Sequence, residues 1–246
     1  MPGSDPIGAY CTFCRESASG ASEIAPEQIV LRGRYFYVLV PLGQLIPGFL
    51  IIAPYSCDSG QGGARCLAEL PDEAIAELGE LKETVRAFFE HALGATAPIF
   101  YEQGRAGGGA QTDATGRFSH HAHLCCLPQP VAIDGWLEGR FTSTRLDGLG
   151  ELAGKLRQFG AQPYVYLEST VRNGTEVRRR LFTGSDPAQR SELETLRLKD
   201  PISHLLGLPE RANWRDWPAR DDVAAVIATF EEHLAGRRAV APGGGR

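Results

Sequence analysis

The sequence predicts an α+β fold in which helices cover an antiparallel sheet. Two apolar runs, Tyr35–Val40 and Phe49–Ala53, are separated by prolines and glycines, which predicts two buried strands joined by a loop. Residues Pro71–Leu93 carry apolar side chains at helical spacing, so we expect a helix with one face in the core. Residues 121–127 alternate reactive side chains with small or apolar ones, which is the period of a strand.

Composition narrows the classes of function. Of the 246 residues, 43% are hydrophobic and 22% are charged, as in an ordinary globular protein. The formal net charge of −5 disfavours a binder of nucleic acid polymers, which is normally basic. Prolines and glycines interrupt the apolar run 35–55, and the N-terminus lacks the pattern of a signal peptide. We therefore expect a cytoplasmic protein that has neither a membrane nor a nucleic acid polymer as partner.

The six cysteines of the chain favour metal binding or catalysis over disulfides in such a reducing compartment. Cys11 and Cys14 form a Cys-x-x-Cys motif, and Cys57 ends the second apolar run. Cys66 precedes the predicted helix, and Cys125 and Cys126 are adjacent.

The rest of the chain predicts further helices and strands. Ile99–Tyr101 is a predicted strand, and Gly104–Gly116 is a predicted glycine-rich loop. Beyond residue 130 the patterns predict helices over Leu146–Phe159, Ser191–Leu206 and Asp222–Ala235, and strands over Pro163–Glu168 and Glu176–Phe182. We expect one domain over residues 1–140 and a C-terminal α/β extension, residues 141–246, packed on it.

Four arginines lie in or near the later predicted hairpin: Arg172, Arg178, Arg179 and Arg180. Charge on a strand is typical of a solvated sheet edge, which it protects from pairing with another chain, and this is the favoured interpretation. The alternative is that one arginine binds a ligand phosphate.

The segment His121-Ala122-His123-Leu124-Cys125-Cys126-Leu127-Pro128 is the most reactive part of the sequence. On a strand, His121, His123 and Cys125 would project from one face and the residues between them from the other. Two imidazoles and a thiol in a row favour binding or reaction over burial.

This segment resembles the histidine triad (HIT) superfamily, whose motif is His-x-His-x-His followed by apolar residues, with the third His replaced here by Cys. Cys11-Thr-Phe-Cys14 resembles the Cys-x-x-Cys of zinc-containing members, which include the galactose-1-phosphate uridylyltransferases. Residues 47–57 resemble the Pro-Gly-His-x-Leu-Ile-x-Pro-x-x-His segment of that branch. The similarity covers residues 11 to about 130, and residues 206–217 look like the C-terminal extension of bacterial members. It implies a HIT-like antiparallel sheet packed with helices and, since family members are often dimers, a possible homodimer.

The resemblance implies a zinc site formed by Cys11, Cys14, Cys57 and His121. The third ligand has changed from His to Cys, and a set of three thiolates and one imidazole still suits tetrahedral zinc. Cys66 competes for that third position. Four protein ligands leave no open coordination position, so the zinc is expected to be structural.

The resemblance also implies that His123, at the middle position of the triad, is the nucleophile. It would attack the α-phosphorus of a nucleoside phosphate ester and form a covalent nucleotidyl-histidine. Cys125 and His120 complete the candidate catalytic set. The loss of the third His shifts the expected reaction from hydrolysis towards transfer.

The phosphate-binding residues depart from the family pattern. Phe49 replaces a His, and the Gln-Ser that normally precedes the triad is represented by Gln111-Thr112, about ten residues upstream. Ser119, His120 or backbone amides of Gly107–Gly109 are the alternatives for binding phosphate.

Two other functions remain open at this stage. A protein with an altered pocket could bind a phosphorylated ligand, or serve a specialised biosynthetic reaction, without nucleotidyl transfer. A thiol redox protein could instead use Cys11 with Cys14, or Cys125 with Cys126.

Overall fold

The computed structural model describes residues 11, 13–14, 28–57, 63–105, 110–112, 118–159, 162–171 and 176–240. Of residues 110–112, 118–119, 159, 171 and 238–240 it describes the backbone alone. Gly107–Gly109 and Arg172 lie outside the described residues, so the predictions made for them stay predictions.

Within the described residues the fold is α+β, with an eight-stranded antiparallel sheet and six helices. The strands are β1 (Ile29–Arg32), β2 (Phe36–Leu39), β3 (Leu50–Pro54), β4 (Ile99–Gly104), β5 (Ala110–Thr112), β6 (Phe118–His120), β7 (Leu124–Leu127), β8 (Thr142–Leu146), β9 (Tyr164–Val171) and β10 (Glu176–Thr183). The helices are α1 (Asp72–Leu93), α2 (Ile133–Glu138), α3 (Leu152–Phe159), α4 (Pro187–Thr195), α5 (Lys199–Leu205) and α6 (Arg220–Val240). The order across the large sheet is β1-β2-β3-β7-β4-β9-β10-β8, and β5 and β6 form a separate two-stranded sheet.

The first half of the sheet follows the predicted pattern. The two apolar runs form β2 and β3, which pair antiparallel with Val38 opposite Ile52. Helix α1 buries the predicted stripe, including Leu78, Val85 and Phe88, and it ends at Gly94, whose left-handed backbone suits glycine. Strand β7 lies between β3 and β4, so the reactive segment enters the centre of the sheet.

The C-terminal extension continues the same sheet, because β9 pairs with β4 along six residues. Two predictions for the extension were wrong. The predicted helix Leu146–Phe159 begins only at Leu152, because Leu146 ends β8, and the predicted helix Ser191–Leu206 is divided into α4 and α5. Pro201 explains the second difference, since an uninterrupted helix would need a backbone N–H that proline lacks, whereas the first turn of α5 does not.

The arginine-rich strand β10 is not a sheet edge, so the favoured interpretation of its arginines was wrong. It lies between β9 and β8, and its side chains form ion pairs within the protein. Arg179 contacts Glu168 at 2.8 Å, and Arg180 contacts Glu138. Internal ion pairs therefore account for these two charges.

The sheet separates two apolar cores. One core lies under α1, α3 and α6 and contains Phe36, Leu124, Cys126 and Phe230. The other lies under α2, α4 and α5 and contains Tyr101, Cys125, Leu127 and Ile202. We refer to these as the α1 face and the α5 face of the sheet. No helix in the described part of the chain combines the length and apolar character needed to cross a bilayer.

Candidate metal and reactive site

Cys11, Cys14, Cys57 and His121 converge in a buried group, here called the Cys–His cluster. Their four candidate ligand atoms all lie within 4.8 Å of one another, so the cluster could hold a metal ion. The Cys11 Sγ–His121 Nδ1 distance is 3.3 Å, and Cys14 Sγ lies 3.5 Å from both Cys57 Sγ and His121 Nδ1. None of the six cysteines forms a disulfide with another.

Contacts around His121 fix which ring nitrogen faces the cluster. Its Nε2 lies 2.8 Å from the carbonyl oxygen of Pro54, the last residue of β3. Because a carbonyl only accepts, Nε2 carries the proton and Nδ1 presents its lone pair to the three thiols. In most metal-binding histidines, the ring nitrogen that does not face the metal donates a hydrogen bond of this kind, which orients the ring.

The thiols of the cluster interact with one another. Hydrogen bonding with Cys11, and then with Cys57, holds the pKa of Cys14 well below its ordinary value. The pKa of Cys11 is raised, since its hydrogen bond to Cys14 favours the protonated form. The Cys57 backbone N–H also donates to Cys14 Sγ at 3.3 Å.

Cys66, the competing candidate for the third ligand, lies elsewhere. It is fully buried in the core of the α1 face, where burial and the charge of Glu102 raise its pKa to about 12. The structure therefore places Cys57, and not Cys66, beside Cys11, Cys14 and His121.

His123 is adjacent to the cluster but makes a different set of contacts. Its Nδ1 lies 2.9 Å from the carbonyl oxygen of His121, so Nδ1 donates and Nε2 keeps a lone pair. The ring of Phe13 stacks on both histidines, with centroid distances of 5.0 Å to His121 and 5.2 Å to His123. The two histidines therefore use different ring nitrogens. His121 presents Nδ1 to the thiols, whereas His123 uses Nδ1 in its backbone hydrogen bond and leaves Nε2 available.

The strand predicted over residues 121–127 begins only at Leu124. The alternation of faces still holds, because Ala122, Leu124 and Cys126 pack on the α1 face and Cys125 on the α5 face. His121 and His123 precede the strand, and the His121 backbone carbonyl accepts a hydrogen bond from the His123 ring. Since Cys125 and Cys126 point to opposite faces, they are two separate buried thiols rather than a redox pair.

Cys125 belongs to a second polar group on the α5 face, here called the Lys199 cluster: His123, Cys125, Tyr101, Lys199 and Phe49. Tyr101 of β4 is directly opposite Cys125 of β7 in the sheet register. Burial raises the pKa of Cys125 to about 11, against the effect of the Lys199 charge. The Nζ of Lys199 lies 4.8 Å from the centre of the Phe49 ring.

Electrostatics link His123 to this second cluster. Burial lowers the pKa of His123 to about 4, against the hydrogen bond to the His121 carbonyl, and the charges of His121 and Lys199 lower it further. Burial also lowers the pKa of Lys199. A neutral imidazole and a cationic ammonium therefore share this part of the α5 face.

Sequence patterns did not identify Lys199 or Tyr101 as site residues. Lys199 follows the break between α4 and α5, and Gln103 of β4 spans that break. The Gln103 amide donates to the Leu196 carbonyl at 2.9 Å and accepts from the Leu198 N–H at 2.8 Å. Such contacts join residues more than 90 positions apart, so no local pattern predicts them.

The remaining candidates lie on the small β5–β6 hairpin, within the segment predicted to be one long loop. That prediction was wrong at residues 110–112, where backbone pairing with β6 places Gln111 opposite Ser119 and Thr112 opposite Phe118. The side chains of Gln111, Thr112 and Ser119 lie outside the description, so their phosphate-binding role stays a prediction. His120 is half-buried, with a pKa lowered by burial and then by Arg65, and its Nδ1 lacks a partner among the described residues.

Comparisons with known proteins add no assignment: no protein-family model matches the sequence, and no curated protein gives a significant match.

Proposed function

We propose that the chain is a zinc-containing enzyme that transfers or hydrolyses the nucleotidyl group of a nucleoside phosphate ester through a covalent bond to His123. The observation that carries this proposal is the His121–His123 pair. One histidine offers Nδ1 to three thiols, and the other offers Nε2 while its Nδ1–H is held by a backbone carbonyl.

Zinc fits the donor set of the Cys–His cluster. Tetrahedral zinc bound to thiolate and imidazole separates its ligand atoms by about 3.5–3.8 Å. The Cys11–His121, Cys14–His121 and Cys14–Cys57 distances of 3.3–3.5 Å are close to that separation, and all four ligand atoms lie within 4.8 Å of one another. Bound zinc would stabilise the thiolates and join the Cys-x-x-Cys segment, the end of β3 and the reactive segment. With four protein ligands it has no open position, so it serves a structural role.

The chemical step uses the lone pair of His123 Nε2. It forms an N–P bond to the phosphorus of the ester or anhydride, and the P–O bond to the leaving group breaks with its electron pair. Nδ1–H stays bonded to the His121 carbonyl and stabilises the positive charge that develops on the ring. In the second step the oxygen of water or of another hydroxyl acceptor attacks phosphorus and loses its proton to solvent. The N–P electron pair then returns to the imidazole.

The test is intact-mass spectrometry of the purified chain after mixing with nucleoside di- and triphosphates and nucleotide sugars, quenched in alkali because phosphoramidates are labile in acid. We expect one nucleotidyl adduct on the wild type and none on His123→Ala. His91→Ala, an exposed histidine at the end of α1, is the matched control and should keep the adduct. An adduct on His123→Ala, or neither adduct nor turnover with any donor, would overturn the proposal.

A second candidate function is a phospho-ligand binder that has lost nucleotidyl chemistry. The observation that favours it is Phe49, whose ring lies against Lys199 at a position where the resembling family has a histidine. Binding of a nucleotide that survives His123→Ala unchanged, with no turnover by the wild type, would support this function over transfer.

A further inference from the structure

Lys199 is a cation without a carboxylate partner in the described part of the chain. Its Nζ takes part in no ion pair or hydrogen bond there, and the Phe49 ring is the group that it contacts. The neighbouring cation, Arg197, is an exposed residue whose guanidinium lies 3.8 Å from Asp200. Lys199 is half-buried, and a lysine partly removed from water with no anion beside it is stabilised when it pairs with a charge or binds a ligand.

The groups around Lys199 are polar and buried. The Tyr101 side chain is 2% exposed, and its hydroxyl interacts with the Cys125 thiol and has no nitrogen or oxygen partner among the described residues. Cys125, opposite Tyr101, is 3% exposed and carries a protonated thiol. The cluster therefore offers one positive charge and two neutral donors, O–H and S–H, next to the ring of His123.

Gln103 and Phe49 fix the position of the lysine. Both backbone groups exposed at the break before α5 bond to the Gln103 amide, so the residue preceding Lys199 is attached to β4. The Phe49 ring supports the ammonium by a cation–π contact. The backbone before Lys199 is held by Gln103 and its ammonium lies against the Phe49 ring, so the charge is held in place before an anion binds.

We propose that the Lys199 ammonium, together with the Tyr101 hydroxyl, binds the anionic oxygens of the phosphoryl group that His123 attacks. This inference rests on the proposed function for the identity of the anion. It assigns phosphate binding to the C-terminal extension, in addition to the β5–β6 hairpin. Lys199 neutralises the charge of the phosphoryl oxygens, and Gln103 acts as its positioning residue.

The test is calorimetric titration of the full chain with inorganic pyrophosphate, which carries the charge of the ligand without a leaving nucleoside. We expect Lys199→Met to weaken binding about ten- to a hundredfold, the range for loss of a charge-assisted hydrogen bond. Tyr101→Phe, which removes only the hydroxyl, should weaken it about threefold to tenfold. Arg197→Met is the matched control, because it removes a cation two residues away, and it should change binding less than twofold.

Each outcome has a distinct meaning. Equal binding by the wild type and a folded Lys199→Met, equal losses in Lys199→Met and Arg197→Met, or no binding of pyrophosphate by the wild type would overturn the inference. If Lys199→Met does not fold, Tyr101→Phe and Gln103→Leu decide, since binding unchanged in both would also overturn it. Pyrophosphate should still bind to His123→Ala, so failure of the covalent chemistry and failure of this anion site are separate results.

Discussion

The two faces of the sheet treat buried charge in opposite ways. On the α1 face, Glu168 is fully buried and is contacted by three cations: Lys82 and Arg86 at 2.7 Å and Arg179 at 2.8 Å. On the α5 face, Lys199 has no such partner among the described residues, and the neighbouring Cys–His cluster brings three thiols and an imidazole within 4.8 Å of one another. The Glu168 charge is balanced by side chains of the protein itself, whereas the Lys199 charge has no such balance in the described part of the chain and the donor set of the Cys–His cluster suits a cation.

This difference distinguishes structure from function. We call an ion cluster closed when its buried charges are paired with one another, as Glu168 is with its three cations. Such a cluster needs no ligand to balance its charge. Three thiols grouped with an imidazole form the donor set of a metal site, and a half-buried lysine without an anion is stabilised when an anionic ligand binds. The comparison therefore supports a metal at the Cys–His cluster and an oxyanion at Lys199.

The largest expected effect is removal of one thiol from the Cys–His cluster. Cys57→Ser should lose stoichiometric zinc and lower the free energy of unfolding by about 5 kcal/mol, because binding energy of a structural metal is folding energy. Zinc content by elemental mass spectrometry and urea unfolding measure the two effects. Cys57→His, which keeps a zinc-binding donor, should recover the metal, and Cys66→Ala should retain it. Equal zinc content in Cys57→Ser and the wild type would refute the assigned ligand set.

Breaking the closed cluster on the α1 face is expected to cost slightly less. Glu168→Gln leaves three cations without a balancing charge, so the free energy of unfolding should fall by about 3–5 kcal/mol. Glu83→Gln is the matched control, since Glu83 also pairs with Arg86, at 3.3 Å, but its side chain is 63% exposed. Surface pairs of this kind contribute at most about 1 kcal/mol. Similar losses of unfolding free energy in the two variants would mean that the buried Glu168 cluster is no more important for stability than an exposed ion pair.

The pH dependence of stability should show a second carboxylate with the opposite behaviour. Glu102 is buried on the α1 face with neutral donors only, Tyr164 at 2.6 Å and the Leu67 N–H at 2.8 Å. Burial raises its pKa from 4.5 to about 8. The native state holds this proton more tightly than the unfolded chain, so its stabilisation is complete below pH 4.5 and is lost as the pH rises towards 8.

Glu102→Gln, which cannot ionise, should therefore become more stable relative to the wild type by about 3 kcal/mol between pH 5 and 8. Urea unfolding of both proteins across that range measures the difference. Glu168 has the reverse sign: burial raises its pKa, but Lys82, Arg179 and Arg86 together lower it. Its contribution is present above the ordinary carboxyl pKa and is lost only as the pH falls below it. A constant difference between Glu102→Gln and the wild type would exclude a buried, protonated Glu102.

The smallest expected change in stability is that of Lys199→Met, which we compare with Lys82→Met. Lys82→Met removes the partner of a buried carboxylate and should destabilise the protein by several kcal/mol. Lys199→Met removes an unpaired charge and should leave stability unchanged or raise it by about 1 kcal/mol, at the expense of anion binding. Thermal unfolding of the two variants side by side measures the contrast. Strong destabilisation by Lys199→Met would mean that the lysine serves the fold instead of a ligand.

Sequence patterns predicted the parts of the molecule that depend on local periodicity. Helix α1 and strands β2 and β3 have apolar residues at regular spacing, and their bounds differ from the predictions by at most one residue at each end. The four residues of the Cys–His cluster were identified by motif order, although they are up to 110 positions apart. That identification was possible because each of them lies in a short, recognisable segment.

The unpaired charge of Lys199 on the α5 face could not be predicted from local periodicity or motif order. A single helix was predicted over Ser191–Leu206, and although Pro201 accounts for the break in it, the position of the broken segment depends on hydrogen bonds to Gln103 on a distant strand. Strand β10 was predicted to be a sheet edge because its arginines are charged. Two of those arginines instead pair with Glu138 and Glu168, which lie on other elements. Which charges pair with one another depends on the tertiary structure. Polar residues could therefore be assigned to the site, or excluded from it, only once that structure was known.

The most direct test of the need for two ligands is the native mass spectrum of the wild-type chain, isolated with zinc present and then mixed with pyrophosphate. We predict one zinc ion per chain and one bound pyrophosphate, with zinc alone on Lys199→Met. A folded wild-type chain that carries neither zinc nor pyrophosphate would contradict the conclusion that the α5 side of the sheet is completed by a cation and an anion.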